Sequence, residues 1–181
     1  MRLRAIFVLA VLLLFSTVAF GQLRLVPMKG SKVKLVSGRH SSVVDLDDAL
    51  LAGDSGGSLP GDPPHKYKLL FSAEKKSFLY LVVKIQSRSP ISDPMAPCGG
   101  DAPQALMWME VSKKPLRVKT AVSQIYASCS MNEYDNKLKL TRDGLTVVNK
   151  VGKWFVKYDN RHPDEGFIMV PDTDVTIVKN R

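Results

Sequence analysis

Phe78–Ile85, which reads FLYLVVKI, is the longest continuous apolar run after residue 21. Aromatic and branched side chains favour β-strands, and an apolar run without a polar face is typical of a strand covered on both sides. Alternate side chains would face opposite ways: Phe78, Tyr80 and Val82 on one side, Leu79, Leu81, Val83 and Ile85 on the other. We therefore predict that this strand lies in the middle of the fold, with Trp108 and Trp154 in the same core.

Strand-like segments surround this run in both directions. Residues 67–71 precede it across a hairpin-length link at 73–76, while 105–111 and 116–127 follow it, separated by residues 112–115. The other predicted strands are 23–28, 32–36, 137–140, 145–150, 153–158, 166–170 and 174–178. About ten short strands without a helix longer than two turns predict an all-β fold, an antiparallel β-sandwich or barrel. Residues 120–128 also permit helical spacing, so a helix is the alternative there.

Residues 37–64 are expected to be weakly structured, because glycine and proline recur from Gly53 to Pro64. One short helix is predicted near residues 45–51. The carboxylates of Asp45, Asp47 and Asp48 suit its N-terminus, where negative charge complements the helix dipole. A calcium loop formed by these residues and Asp54 is the less favoured interpretation, because the apolar residues 49–52 interrupt the acids and no glutamate follows at the required spacing.

The first 21 residues have the three-part layout of a secretory signal peptide. Arg2 and Arg4 precede an apolar run from Ala5 to Val18, and small residues stand at positions 19 and 21. Cleavage after Gly21 would leave residues 22–181 as a single exported β-rich domain, with no membrane span. An uncleaved membrane anchor is the alternative. Without Arg2 and Arg4, 24 of the 26 basic residues remain against 17 acidic ones, a net charge of +7.

The chain has two cysteines, Cys98 and Cys129, which we predict to form one disulfide in an oxidising compartment. The bond would tie the proline-rich segment 88–103 to the end of a strand. No N-x-Ser/Thr acceptor site occurs. The absence of acceptor sites favours a bacterial periplasmic or secreted protein over a eukaryotic glycoprotein.

No catalytic, cofactor-binding or metal-binding residues are predicted. Gly53–Gly57 (GDSGG) matches the sequence around the nucleophile of chymotrypsin-like serine proteases, but the chain before it is too short for that double barrel. His40, His65 and His162 are too far apart in sequence to form a ligand motif. The loop His162–Glu165 carries polar groups that are expected to be solvated.

Basic residues on two predicted strands form a candidate anion-binding face. If these strands pair, four cations would share one side; outward lysines can equally protect sheet edges against aggregation. The candidate residues are Lys113, Lys114, Arg117, Lys119, Lys137 and Lys139.

The composition and motifs together favour an exported, non-catalytic β-domain that acts by binding at the periplasm or cell surface. An anionic envelope polymer or another exported protein is the expected partner; nothing indicates a specific nucleic-acid partner. A secreted or periplasmic hydrolase, or an inhibitor of a foreign hydrolase, is the alternative. No cofactor is expected, and the sequence does not specify the oligomeric state.

Overall fold

A computed structural model describes residues 23–51, 62–88, 102–128 and 136–170. These residues form eleven strands, one short α-helix and one 3-10 turn, so the all-β prediction is confirmed. The elements are β1 Arg24–Pro27, β2 Lys32–Ser37, β3 His40–Asp45, α1 Leu46–Leu51, β4 Asp62–Lys75, β5 Phe78–Arg88, β6 Gln104–Lys113, β7 Leu116–Ala127, β8 Lys137–Leu140, β9 Gly144–Val148, β10 Trp154–Asp159, the 3-10 turn Pro163–Glu165 and β11 Ile168–Met169.

The strands form three antiparallel sheets in a sandwich-like arrangement. The first sheet has the order β1-β2-β3, the central sheet β4-β5-β6-β7, and the third sheet β11-β10-β9-β8. The central sheet is a meander whose long neighbouring strands pair along most of their length. β5, the FLYLVVKI strand, lies between β4 and β6, as expected of the most apolar strand.

The central sheet is buried on both faces, each in its own core. Leu79, Leu81, Val83 and Ile85 pack with β6 residues against the first sheet and α1. Tyr80 and Val82 pack with Trp108 and Tyr126 against the third sheet. The prediction of two covered faces for β5 is therefore confirmed, and the molecule has three layers because neither face of β5 tolerates water.

Three predictions about strand boundaries are wrong. β3 occupies residues 40–45, inside the stretch that was expected to be weakly structured. β4 begins at Asp62 and includes Pro63 and Pro64, a segment that was expected to be loop. The prolines are tolerated because β4 is an edge strand and its pairing with β5 is interrupted between Asp62 and Lys66. The β4–β5 link is residues 76–77 rather than 73–76, with Lys76 at φ 57°.

One alternative and two further predictions are also decided. Residues 116–127 form strand β7, so the helical alternative for 120–128 is wrong. Trp108 is buried as predicted, whereas Trp154 is 41% exposed and does not belong to the core. The short helix is present at Leu46–Leu51, and Asp45 caps it: the Asp45 Oδ1 atom accepts hydrogen bonds from the Asp47 N–H, at 3.2 Å, and from the Ser31 hydroxyl, at 2.5 Å.

Several predictions concern residues outside the described ranges. These are the signal peptide at 1–21, Ser55 and its glycine-rich surroundings, Cys98, Cys129, and the predicted strand at 174–178. The disulfide therefore stays a prediction.

Candidate anion-binding face

The outward side of the third sheet carries lysines and a tryptophan in two rows that run across the strands. One row is Lys139 (β8), Thr146 (β9), Lys157 (β10) and Ile168 (β11), and the other is Lys137 (β8), Val148 (β9) and Trp154 (β10). We call these seven residues the outer lysine face. The inward side of the same strands carries Leu145, Val147, Val156 and Tyr158, which are buried against the central sheet.

Strand periodicity places the lysines outward. Leu138, between Lys137 and Lys139, packs on the core, so its two neighbours point to solvent. In β10 a register shift between Trp154 and Val156 inserts Phe155 as an extra residue, which packs on the core. The bulge leaves Trp154 on the outward side, three residues from Lys157.

The outer lysine face is cationic and has an apolar component. Its three lysines are exposed, and within the described residues none of their ammonium groups makes a hydrogen bond or an ion pair. Trp154 and Ile168 expose 41% and 39% of their surfaces, whereas Val148, between Lys137 and Trp154, is buried. Strand spacing puts the lysines of β8 about 7 Å apart and Lys157 about 10 Å across the sheet.

A carboxylate at the end of β10 is already neutralised. Asp159 ends β10, and both of its oxygens accept hydrogen bonds from the Arg161 guanidinium, at 2.9 and 2.6 Å. These hydrogen bonds hold the pKa of Asp159 well below its usual range. Because neither row contains an acidic residue, the lysines there are free to attract an anion.

The other four candidate residues lie at a different place. Lys113 and Lys114 belong to the β6–β7 hairpin, and Arg117 and Lys119 lie on β7. β7 and β8 belong to different sheets and do not pair, so the six candidates do not form one face. The Lys113 ammonium group also forms an ion pair with Glu74 and donates a hydrogen bond to the Lys76 carbonyl, at 2.8 Å. Lys113 thus holds the β4–β5 turn against the β6–β7 turn.

His65 and the turn after His162 make contacts within the fold. The His65 Nδ1 atom lies 2.7 Å from the Ser87 hydroxyl, but Ser87 is only 3% exposed. The turn after His162 is not merely solvated: the Pro163 carbonyl accepts a hydrogen bond from the Trp108 indole, at 2.9 Å, and Asp164 binds Lys75. No group of three metal-ligating side chains occurs in residues 23–51, 62–88, 102–128 and 136–170.

Sequence reasoning found Lys137 and Lys139 and their outward alternation, but it missed Lys157 and Trp154. Strict alternation along Lys153–Tyr158 would put Trp154 on the same side as Val156 and Tyr158, and therefore predicts that Trp154 is buried. The bulge at Phe155 turns Trp154 to the opposite side of the strand, and no sequence signal marks the bulge.

Comparison with models of protein families, with curated proteins and with solved structures gives no match for this chain. Among the described residues, no helix has the length and apolar character needed to cross a membrane.

Proposed function

We propose that this protein is an exported, non-catalytic β-domain of the bacterial periplasm or cell surface that binds an anionic envelope polymer through the outer lysine face. The observation that carries the proposal is the presence of three exposed lysines, without carboxylate partners in the described part of the chain, beside an exposed indole. A sheet surface with cations in rows suits a long ligand, because its cations can contact successive charges of a polymer. The indole adds apolar contact with the polymer backbone.

The net charge supports the same class of ligand. A mature domain with an excess of seven positive charges attracts polyanions over a distance of about a Debye length, roughly 8 Å at physiological salt. Long-range attraction brings the polymer to the protein, and the outer lysine face provides the contact.

Polyanion binding is tested with heparin as a soluble probe. Replacing Lys137, Lys139 and Lys157 by glutamine is expected to weaken heparin binding at least tenfold. The affinity should also depend less on salt, because binding with fewer cationic contacts releases fewer counterions. The matched control replaces Lys29, Lys32 and Lys34, exposed residues at the first sheet, and removes the same charge. Equal loss of affinity in both triple variants would show that only net charge matters.

Tryptophan fluorescence locates the contact independently. The chain has two tryptophans; Trp108 is buried and Trp154 is exposed, so a surface ligand should protect Trp154 from acrylamide quenching. The protection is expected to disappear in Trp154→Phe. If heparin does not change the acrylamide quenching of the unmodified protein, the ligand binds away from Trp154.

Export is tested on the secreted product. We expect an amino terminus at Gln22 and, because the compartment is oxidising, a mass two units below that of the dithiol form. Two free thiols in protein collected from the periplasm would contradict the Cys98–Cys129 bond.

A hydrolase is the second candidate, and the contact between His65 and the Ser87 hydroxyl is the observation in its favour. The burial of Ser87 weighs against it, since a nucleophile must reach its substrate. Labelling of the protein by a fluorophosphonate probe, lost in Ser87→Ala, would favour the hydrolase over the binding domain.

A further inference from the structure

A second group of cations lies on the central sheet, away from the outer lysine face. Lys66 and Lys68 of β4 pair with Gln86 and Lys84 of β5, and Arg88 follows on the same side of β5. We call Lys66, Lys68, Lys84 and Arg88 the central lysine cluster. These residues alternate with side chains of the first core, so they occupy the face that carries Val82 and Trp108.

The central lysine cluster is energetically unfavourable in the free protein. Lys68 and Lys84 are direct cross-strand partners, and like charges in that position destabilise a sheet. Lys84 is half-buried beside Leu106, which is fully buried. Its burial, and next the charge of Lys68, lower the pKa of Lys84.

Among the side chains that the structure describes, which do not include that of Asp62 opposite Arg88, no carboxylate compensates these charges. None of the four cations takes part in an ion pair with those side chains, although two other lysines of the same sheet do: Lys113 pairs with Glu74, and Lys75 pairs with Asp164 of the 3-10 turn. Uncompensated charge on an otherwise apolar strand is a local cost that proteins often carry at functional sites.

A cavity of about 280 Å³ adjoins the cluster, and the Gln86 amide in its wall is a further hydrogen-bond donor. Its lining residues are Pro64, Lys66, Gln86, Ser87, Arg88 and Ala102. Across the strands, Gln104 lies opposite Gln86, and its amide oxygen accepts a hydrogen bond from the Tyr126 hydroxyl, at 2.9 Å. That hydrogen bond fixes the Gln104 amide while leaving its NH₂ group as a donor.

We propose that the central lysine cluster and this cavity form a binding site for a small oxyanion of the phosphate class. A doubly charged tetrahedral anion would neutralise two ammonium groups and accept hydrogen bonds from several donors at once. The cavity leaves room for an organic group attached to the phosphate. This site shares no residue with the outer lysine face and does not depend on the function proposed for that face.

Phosphate binding is tested by thermal unfolding of the full mature protein in inorganic phosphate, sulfate or acetate at one ionic strength. We expect phosphate to raise the midpoint of unfolding well above the acetate value, because a ligand of the folded state stabilises it. A parallel titration with methyl phosphate and with inorganic phosphate distinguishes a phosphate monoester from the free ion. Equal midpoints in all anions would refute the site.

Two variants assign the effect to the cluster. Lys84→Met removes the half-buried charge and keeps an unbranched side chain that is one atom shorter, so the free protein should unfold at a higher temperature while its affinity for phosphate falls at least tenfold. Lys139→Met removes one charge from the outer lysine face and should leave the phosphate effect intact. If Lys84→Met does not fold, Lys68→Gln at the edge strand serves instead. A phosphate effect that survives loss of the cluster lysine would overturn the proposal.

Discussion

Because strand β5 is buried on both faces, we predict that truncating either of two neighbouring side chains, Leu81 or Val82, strongly lowers the free energy of unfolding. Leu81 and Val82 are adjacent in β5, both are fully buried, and they belong to different cores. If the molecule had only two layers, one of these side chains would face solvent and its truncation would cost little. In three layers both truncations are costly.

The magnitudes follow from the atoms removed. Leu81→Ala removes three carbons, worth about 2.4 kcal/mol of transfer free energy, and the cavity left behind raises the total to about 3–4 kcal/mol. Val82→Ala removes two carbons, so we expect about 2–3 kcal/mol. Met107 and Met109 line the first core and can partly refill the space left by Leu81→Ala. For this reason we expect a cost below the upper limit of about 5 kcal/mol for such substitutions.

Urea unfolding followed by far-ultraviolet circular dichroism measures the effect. With a slope of about 2 kcal/mol per M, the midpoint should fall by about 1.5–2 M for Leu81→Ala and about 1–1.5 M for Val82→Ala. Lys139→Ala, on the outer lysine face, should shift it by less than about 0.3 M, since exposed substitutions away from special features cost under about 0.5 kcal/mol. A midpoint for either core variant close to that of Lys139→Ala would refute the three-layer arrangement.

Three further substitutions test particular contacts, each by urea unfolding. Gly144→Ala should cost about 3 kcal/mol or more, because a Cβ atom there would overlap the Tyr158 carbonyl oxygen; a smaller loss would mean that β9 and β10 separate easily. Trp108→Phe should cost about 1–3 kcal/mol, since it leaves the Pro163 carbonyl without its indole donor, and an unchanged midpoint would show that water replaces this donor. Tyr67→Phe should be neutral or stabilising, because the buried hydroxyl has no hydrogen-bond partner among the described residues and burial raises its pKa to about 12; a loss above about 1 kcal/mol would reveal a partner.

The candidate faces show how far periodicity can locate a site. Alternation in KLKL correctly places Lys137 and Lys139 outward, since a single intervening apolar residue, Leu138, fixes the orientation of the strand. The same logic applied to β7 and β8 gave a shared face that does not exist, because alternation within a strand carries no information about its partners. Strand pairing depends on the whole chain.

The sequence by itself determined the fold class and the place of its centre. FLYLVVKI has no face that could be left in water, so any fold of this chain must cover it twice. The acidic start of α1 is likewise readable, because capping depends on residues a few positions apart.

Only the tertiary structure decided which surfaces the charges share. The bulge at Phe155 turned Trp154 outward, and the edge position of β4 admitted Pro63 and Pro64 into a strand. The juxtaposition of Lys68 and Lys84 arises from the β4–β5 register, which includes its own shift between Leu69 and Phe71. Registers and bulges are set by the packing of both cores together, and for this reason local sequence could not specify either candidate anion site.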